Sequence, residues 1–343
     1  MSEARLRLAV PSKGMEDAAL AFLSSCGLGV NRSNPRQYRA TVRSLRGVEV
    51  LFQRAPDIVE KVSEGSVDIG ITGYDIVREH EREDDNVIML HPKLGFGHCS
   101  LVLAVPEGWI DVSGIADLAE ISADLRSRGR ELRIATKYVN LTRQFLFDRG
   151  INYFSIVESS GAMEAAPAMG YADMICDLTS SGVTLRENRL KSVNGGTILD
   201  SQACLIANRV ALRDSDAKLQ VTRQILELIE AHLRARSYYS LTANIHGDSP
   251  ETIAQMVTSH GEVAGLQGPT VAPVYSKVGG QSGWFATTIV VDDSLLQKAV
   301  DALRKAGAAD VTAIPLRYVF EHKAWTFESL RRQLFGEAEV DEA

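Results

Sequence analysis

Apolar residues in the first part of the chain fall into short runs separated by segments with helical spacing. Residues 6–10, 48–52 and 67–72 are apolar runs of strand length, and Pro56 stands where a helix can begin. A second alternating series follows between residues 132 and 176. Strands that alternate with helices predict a mostly parallel sheet with helices on both faces. The pattern therefore predicts two α/β lobes around a cleft, a common place for small ligands.

The pattern changes towards the end of the chain. Apolar strands at 99–105 and 197–207 are predicted to cross between the lobes, and residues 118–131 to form a helix and a surface loop. A long amphipathic helix is predicted over 214–236. After it, strands and helices between 238 and 316, including strands at 262–266 and 284–291, predict a β-α-β-β-α-β module of the ferredoxin-like type. The acidic tail 335–343 is expected to be disordered.

Composition narrows the class of protein. The 343 residues are 45% apolar and 24% charged, the balance of a folded soluble protein. The net charge of −7 argues against a nucleic-acid-binding protein. No apolar run predicts a membrane span and no signal peptide is recognised, so a cytoplasmic location is expected. The four cysteines form no CxxC pair and are expected to be reduced thiols, and the histidines lack zinc-ligand spacing.

The most informative stretch is 172–185, ADMICDLTSSGVTL. An apolar run ends at Asp177, and small hydroxyl residues and a glycine follow. Such a loop can present backbone N–H groups to a phosphate, and the helix after it adds favourable dipole charge. The alternative is an ordinary strand-to-helix turn with a serine cap. Asp173, at the other end of the strand, is expected to be a cap or surface residue.

With its neighbours, this stretch resembles a known family. The segment 158–185 is similar to the signature of the ATP phosphoribosyltransferases, which catalyse the first step of histidine biosynthesis. Further matches occur in order at 11–14 (PSKG), 54–59 (RAPDIV), 68–75 (DIGITGYD), 95–99 (GFGHC) and 135–138 (ATKY). The resemblance covers residues 5–320. It implies an α/β fold with a two-lobed catalytic region like a type II periplasmic binding protein and a C-terminal ferredoxin-like regulatory domain.

The resemblance also implies a division of the chain. Residues 1–100 with 190–212 would form catalytic lobe I, and residues 101–189 would form lobe II with the phosphoribosyl pyrophosphate loop. Residues 213–236 would be a connecting helix, 237–320 a histidine-binding regulatory domain, and 321–343 a C-terminal extension.

The implied reaction transfers the phosphoribosyl group of phosphoribosyl pyrophosphate to N1 of ATP and releases pyrophosphate. Asp177 and Glu164 would contact the ribose hydroxyls and stabilise the positive charge that develops as pyrophosphate leaves. The implied phosphoribosyl pyrophosphate residues are Asp177, Leu178, Thr179, Ser180, Ser181, Gly182, Val183 and Thr184. The implied ATP and polyphosphate residues are Lys13, Arg54, Gly73, Tyr74, Asp75, Lys137 and Tyr138. Magnesium is expected, carried mainly by the substrate phosphates, and no protein ligand for it is assigned.

Alternatives remain at several of these positions. Lys13 and Arg54 could be surface charges, the two tyrosines could belong to the core, and His98 could be structural. The family usually has a basic residue where this chain has Met15, which removes one expected phosphate contact. The charged segment 118–131 is also longer than the family pattern predicts.

Near the C-terminus, residues 265–273 (GLQGPTVAP) resemble a turn in the long form of the family, whose extra domain binds histidine as a feedback inhibitor. The resemblance implies that Thr270, Leu266 and Thr288 bind the inhibitor histidine. It also implies a homo-oligomer, either a dimer or a hexamer. The ferredoxin-like domain could instead serve only in oligomerisation. Two other functions stay open, a non-enzymatic ligand sensor on the same fold and a phosphoribosyltransferase with another acceptor base.

Overall fold

The computed structural model describes residues 5–80, 85–159, 161, 163–259, 266, 268–275 and 281–336. The chain divides into two compact units, one of Met1–Thr222 with Ser329–Ala343 and the other of Arg223–Glu328. Among the described residues, no helix is both long enough and apolar enough to cross a membrane. None of the four cysteines, all within the described residues, forms a disulfide, as the sequence predicts.

The first lobe of the first unit is built on a seven-stranded sheet. Its strands are β1 Leu6–Pro11, β2 Val30–Asn31, β3 Arg39–Val42, β4 Val48–Gln53, β5 Ile69–Gly73, β6 Val87–His91 and β12 Ala203–Asn208, and its helices are α1 Glu16–Ser25, α2 Ala55–Ser63 and α3 Tyr74–Glu79. The strand order is β2-β3-β4-β1-β5-β12-β6. Strand β1 runs parallel to β4 and β5, so the loops that follow these three strands lie at one edge.

The second lobe has a five-stranded sheet. Its strands are β7 Cys99–Pro106, β8 Leu132–Thr136, β9 Phe154–Glu158, β10 Met174–Thr179 and β11 Leu190–Ser201, in the order β11-β7-β10-β8-β9. Its helices are α4 Ile115–Ser127, α5 Val139–Asp148, α6 Ala166–Met169 and α7 Val183–Glu187, and a 3-10 turn Met163–Ala165 precedes α6. Helix α4 lies where the sequence predicts a helix and a surface loop.

Two predictions about the crossing segment need correction. The sequence assigns residues 190–212 to the first lobe and predicts a single strand over 197–207. In the structure the strand is interrupted at Gln202: β11 pairs with β7 in the second sheet, and β12 pairs with β5 in the first. Both strands are apolar, and an apolar run does not reveal its partner strand, so the hydrophobic pattern could not separate them.

The segment after β12 forms two helices, α8 Arg209–Arg213 and α9 Asp216–Ala235. Within the first unit, Lys218 of α9 donates to the buried Asp68 carboxylate at 2.8 Å. The predicted extension contains a further helix, α12 Trp325–Phe335, which the sequence analysis did not identify. Residues 337–343 of the predicted tail lie outside the described residues.

The second unit carries the predicted β-α-β-β-α-β module. Its elements are β13 Tyr238–His246, α10 Pro250–Thr258, β14 Thr270–Tyr275, β15 Gln281–Asp292, a 3-10 turn Asp293–Leu295, α11 Leu296–Lys305 and β16 Ala308–Pro315. The sheet order is β14-β15-β13-β16, and every neighbouring pair is antiparallel. The predicted strand at 262–266 falls mostly outside the described residues, and the strand seen before β15 is β14.

Candidate functional site

Lys13 and Arg54 lie at the same edge of the first sheet. Pro11 at the end of β1 is opposite Gln53 at the end of β4, and Ser12 N–H donates to the Gln53 carbonyl at 2.7 Å. Lys13 follows Ser12 and Arg54 follows Gln53, and both cations are exposed. No carboxylate within the described ranges forms an ion pair with either. The structure therefore leaves two cations at the strand ends, where α/β proteins bind ligands.

The first loop shows what Met15 does. Its sulfur packs against Gly97, in the turn that leads to β7, so the side chain makes a packing contact where a phosphate contact was expected. The next residue, Glu16, accepts from Arg32 at 2.6 Å, and the Arg32 guanidinium lies 3.8 Å from the centre of the Phe52 ring. Arg32 is a cation near this loop that the sequence analysis missed, because a single arginine outside a motif gives no signal.

Asp177 lies inside a strand, not in a loop. Strand β10 continues to Thr179, and the residue pairs of Asp177 with Val102 and of Thr179 with Ser100 hold it against β7. The carboxylate is half-buried and accepts the Leu178 N–H at 2.8 Å. Burial raises the pKa of Asp177 above its usual range, with Glu164 acting in the same direction, while the Leu178 N–H and Lys137 oppose the rise. Glu164 and Lys137 are thus electrostatic neighbours of Asp177.

The phosphate loop shortens to a turn of three residues, Ser180–Gly182. Ser180 and Ser181 are exposed, and Gly182 has a φ of 69°, a left-handed conformation that favours glycine. The Thr179 hydroxyl accepts the Gly182 N–H at 2.9 Å, so this N–H already has a partner within the turn.

The helix after this turn, α7, has five residues, and its first two, Val183 and Thr184, are exposed. So short a helix adds only a small dipole. A cation lies close to the turn, since Arg186 Nη1 would be 3.3 Å from a Cβ placed on Gly182. The sequence analysis did not single out Arg186.

The turn between β8 and α5 places Lys137 and Tyr138 differently. Lys137 is exposed, and its ammonium lies 5.0 Å from the centre of the Tyr138 ring. Tyr138 itself is buried and donates to Asp75 Oδ2 at 2.5 Å, and Asp75 is also buried. Tyr138 and Asp75 are therefore hydrogen-bonded to each other between the two lobes, and the prediction that their side chains contact the nucleotide needs revision.

Gly73 and Tyr74, two further residues predicted to bind ATP, contact neighbouring residues of the first lobe. A Cβ on Gly73 would lie 2.5 Å from Asp75 Oδ1, so the missing side chain makes room for the Asp75 carboxylate. Tyr74 lines a pocket of about 530 Å³ with residues of α2, α3 and β6. Its hydroxyl accepts from Arg78 at 3.2 Å. His98 is exposed, beside the turn that Met15 contacts.

Asp173 is neither the cap nor the surface residue that the sequence predicts, because its carboxylate is 13% exposed and forms an ion pair with Arg133. The Arg133 side chain donates to both carboxylate oxygens, at 3.2 and 2.8 Å, and the Arg133 backbone N–H donates at 2.9 Å. Burial alone would raise the pKa of Asp173, but the hydrogen bonds from Arg133 outweigh it and the pKa lies below its usual range. In the described part of the chain, no group of three or more His, Cys, Asp or Glu side chains is placed to hold a metal ion.

In the second unit, two of the three residues predicted to bind histidine are neighbours. Thr270 of β14 lies opposite Thr288 of β15, and the Thr288 and Thr242 hydroxyls are 3.0 Å apart. The Leu266 N–H donates to the Val290 carbonyl at 3.0 Å, close to the same stretch of β15, and the Leu266 side chain is exposed. Residues 265 and 267 of the predicted turn lie outside the described residues.

Comparison with known proteins shows similarity to one family over nearly the whole chain. A family model described as ATP phosphoribosyltransferase matches residues 54–231, and one described as HisG, C-terminal domain, matches residues 235–318. ATP phosphoribosyltransferase 1, chloroplastic, of Arabidopsis thaliana is 40% identical over 96% of this chain and 81% of that protein. The ATP phosphoribosyltransferase of Rhodopseudomonas palustris strain BisB18 is 38% identical over 94% of this chain and 96% of that protein. A solved ATP phosphoribosyl transferase (HisG:HisZ) complex from Thermotoga maritima matches with a TM-score of 0.50 and 25% identity, over 66% of this chain and 98% of that chain.

Proposed function

The chain belongs to the ATP phosphoribosyltransferase family, and we propose that Asp177 and the turn after it bind phosphoribosyl pyrophosphate. The enzyme transfers the phosphoribosyl group to N1 of ATP, the first step of histidine biosynthesis. Membership decides in favour of an enzyme over the ligand sensor that the sequence left open. The observation that carries the site proposal is the half-buried Asp177 carboxylate, three residues before an exposed turn and beside Glu164.

Asp177 and Glu164 act electrostatically in this proposal. As the bond to pyrophosphate breaks, positive charge develops on the ribose ring, and fixed carboxylates near it lower the energy of the transition state. The adenine nitrogen is itself the nucleophile, so no serine or cysteine needs to be activated. Consistent with this, burial raises the pKa of the Cys176 thiol to about 12, which makes it a poor nucleophile at neutral pH.

The 5-phosphate is assigned to the turn Ser180–Gly182 and the start of α7. The exposed hydroxyls of Ser180, Ser181 and Thr184 can donate to phosphate oxygens, and Arg186 supplies a nearby positive charge. Leu178, Thr179 and Val183 would support the turn rather than touch the ligand through their side chains.

Lys13, Arg54 and Lys137 are the cations proposed for the polyphosphates of ATP and for pyrophosphate. All three are exposed, and the first two share one sheet edge. Arg54 can bind two phosphate oxygens at once, while a lysine acts as a point charge. Magnesium is proposed to be carried by the substrate phosphates, so it needs few protein ligands and none is assigned. Magnesium neutralises phosphate charge when it is bound.

The phosphate site is tested by Ser181→Glu. A carboxylate in the turn would repel the 5-phosphate, and the Kd for phosphoribosyl pyrophosphate is expected to rise about tenfold or more. Calorimetric titration measures it. Ser127→Glu makes the same change on the exposed end of α4, outside the proposed site, and should leave the Kd unchanged. An unchanged Kd in Ser181→Glu would move the phosphate site elsewhere.

The second unit is proposed to bind histidine as a feedback inhibitor, at Thr270 and Thr288 with Leu266 beside them. The support is the pairing of the two threonines on neighbouring strands and the match of this unit to the C-terminal domain of the family. A dimer or hexamer of identical chains and a cytoplasmic location remain part of the proposal.

A further inference from the structure

Helix α3 presents two buried carboxylates to the second lobe. Asp75 and Glu79 are four residues apart, so they lie on one face of the helix. Their exposed fractions are 3% and 6%, and both accept hydrogen bonds from the segment that follows β8. We call this set of contacts between α3 and residues 138–141 the lobe joint.

Both oxygens of Asp75 are used in the lobe joint. Oδ2 accepts the Tyr138 hydroxyl at 2.5 Å, and Oδ1 accepts the Ser201 hydroxyl at 2.7 Å. The Ser201 hydroxyl also accepts the Asp75 N–H at 2.9 Å. Burial raises the pKa of Tyr138, and Asp75 raises it further, so the phenol keeps its proton and remains the donor.

Glu79 holds the next residues of the same segment. Its carboxylate accepts the backbone N–H groups of Asn140 and Leu141 at 2.8 and 3.0 Å, and the Asn140 side chain donates to the Glu79 carbonyl at 3.0 Å. These N–H groups belong to the first turn of α5, where a negative charge is favourable. Helix α3 therefore holds the side chain of Tyr138 and the backbone of Asn140 and Leu141.

Lys137 immediately precedes this fixed segment and lies over the Tyr138 ring. It is also the cation that favours the charged form of Asp177. The other groups that act on Asp177 are the Leu178 N–H and Glu164, and Asp177 in turn acts on Tyr138 and Cys176. Strand β8 runs parallel to β10 with Thr136 opposite Cys176, so Lys137 and Asp177, the next residue in each segment, are neighbours. Lys137 thus links the lobe joint to the proposed catalytic carboxylate.

We propose that Asp75 and Tyr138 are positioning residues for the transfer reaction, because they fix the ring over which Lys137 lies and so hold the ammonium beside Asp177. The pair is polar and buried although apolar side chains could fill the same space, and a buried polar pair specifies one geometry more strictly than an apolar contact does. The inference rests on the proposed role of Asp177. It assigns to two residues expected to touch nucleotide a role that acts through Lys137.

Tyr138→Phe is the direct test. The ring remains, but the bond to Asp75 is lost, and kcat is expected to fall on the order of tenfold with a smaller change in the KM values. With Lys137 less fixed, Asp177 is protonated more easily, so the acidic limb of the kcat/KM profile should move to higher pH. Tyr153→Phe removes a hydroxyl from an exposed tyrosine of the same lobe and should change neither quantity.

A double substitution separates positioning from general loosening. In a Lys137→Met background, adding Tyr138→Phe should leave the acidic limb where Lys137→Met alone places it, because the intermediary is already absent. Glu79→Gln weakens the lobe joint without releasing the tyrosine, and it should lower the midpoint of thermal unfolding while leaving the limb in place. The proposal would be overturned if Lys137→Met and Tyr138→Phe shifted the acidic limb by amounts that add in the double variant. It would also be overturned if Glu79→Gln shifted the limb as far as Tyr138→Phe does.

Two further comparisons complete the test. If Tyr138→Phe does not fold, Ser201→Ala removes the other hydrogen bond to the Asp75 carboxylate, from β11 of the second lobe, and should shift the acidic limb in the same direction. If Asp177→Asn abolishes turnover while Tyr138→Phe behaves like the unmodified enzyme, the positioning role is wrong and the role of Asp177 stands. If Asp177→Asn is fully active, the premise itself has failed.

Discussion

The carboxylates at the two ends of β10 have opposite electrostatic environments. Asp173 receives three hydrogen bonds from Arg133, whereas Asp177 is half-buried beside Glu164. The pKa is lowered at Asp173 and raised at Asp177. The same substitution, aspartate to asparagine, should therefore affect the free energy of unfolding differently at two positions only four residues apart.

Asp173→Asn is expected to lower the free energy of unfolding by about 1.5–3 kcal/mol, the usual value of a hydrogen bond to a charged group. A lowered folded pKa contributes stability above the unfolded value, about 3.9, and loses it as pH falls through the folded pKa. The difference between Asp173→Asn and the unmodified enzyme should thus be full at pH 7 and shrink in strong acid. Denaturant unfolding at several pH values measures it.

Asp177→Asn should leave stability at neutral pH unchanged or raise it. A raised folded pKa contributes stability only below the unfolded value, and this is lost as pH rises through the folded pKa. At pH 7 the charged carboxylate is therefore kept at a cost to the fold, and a neutral amide removes that cost. A clear loss of stability in Asp177→Asn would contradict the electrostatic description.

At the scale of elements, the turn between β10 and α7 depends on one backbone conformation. Gly182→Ala places a side chain at a φ of 69°, which costs roughly 1–2 kcal/mol in the left-handed region. The turn should shift and the KM for phosphoribosyl pyrophosphate rise several-fold, with a smaller change in the KM for ATP. Steady-state kinetics with each substrate varied decides it, and equal changes in both KM values would argue against a phosphate site here.

The elements also show what the sequence could and could not predict. Strand–helix alternation predicted β1, α2, β5, β8 and β10 because each carries a clear apolar face. Short or edge strands such as β2, β3 and β6 were missed, since a few residues give too little periodicity. Asp177 could be found from its position after an apolar run. The bond between Asp75 and Tyr138 could not, because the two residues are far apart in sequence and only the pairing of the lobes brings them together.

At the scale of the whole molecule, the chain consists of two compact units, and the second, which matches the C-terminal domain of the family, is the one proposed to bind histidine. Thr270→Val keeps the shape of the side chain but removes the hydroxyl, and histidine affinity is expected to fall about tenfold or more. Thr312→Val is the matched control, because Thr312 lies on the same sheet at the far strand, opposite Thr242. Calorimetry with histidine measures both variants, and equal affinities in the two would remove Thr270 from the site.

The same titrations address communication between the units. If histidine inhibits through equilibrium coupling, saturating substrate must weaken histidine binding by the factor by which histidine weakens substrate binding. Histidine affinity that does not change with substrate would exclude such coupling and leave inhibition of the catalytic step alone.

The central claim is that the Asp177 carboxylate carries the charge that the transfer reaction needs. The most direct measurement is turnover of the purified enzyme with ATP, phosphoribosyl pyrophosphate and magnesium, with pyrophosphatase added to draw the reaction forward. The ultraviolet change of the N1-substituted adenine is the readout. Asp177→Asn is expected to lose activity by a factor of about a hundred or more while Asp173→Asn stays near the unmodified rate. Near-normal turnover in folded Asp177→Asn would contradict the account.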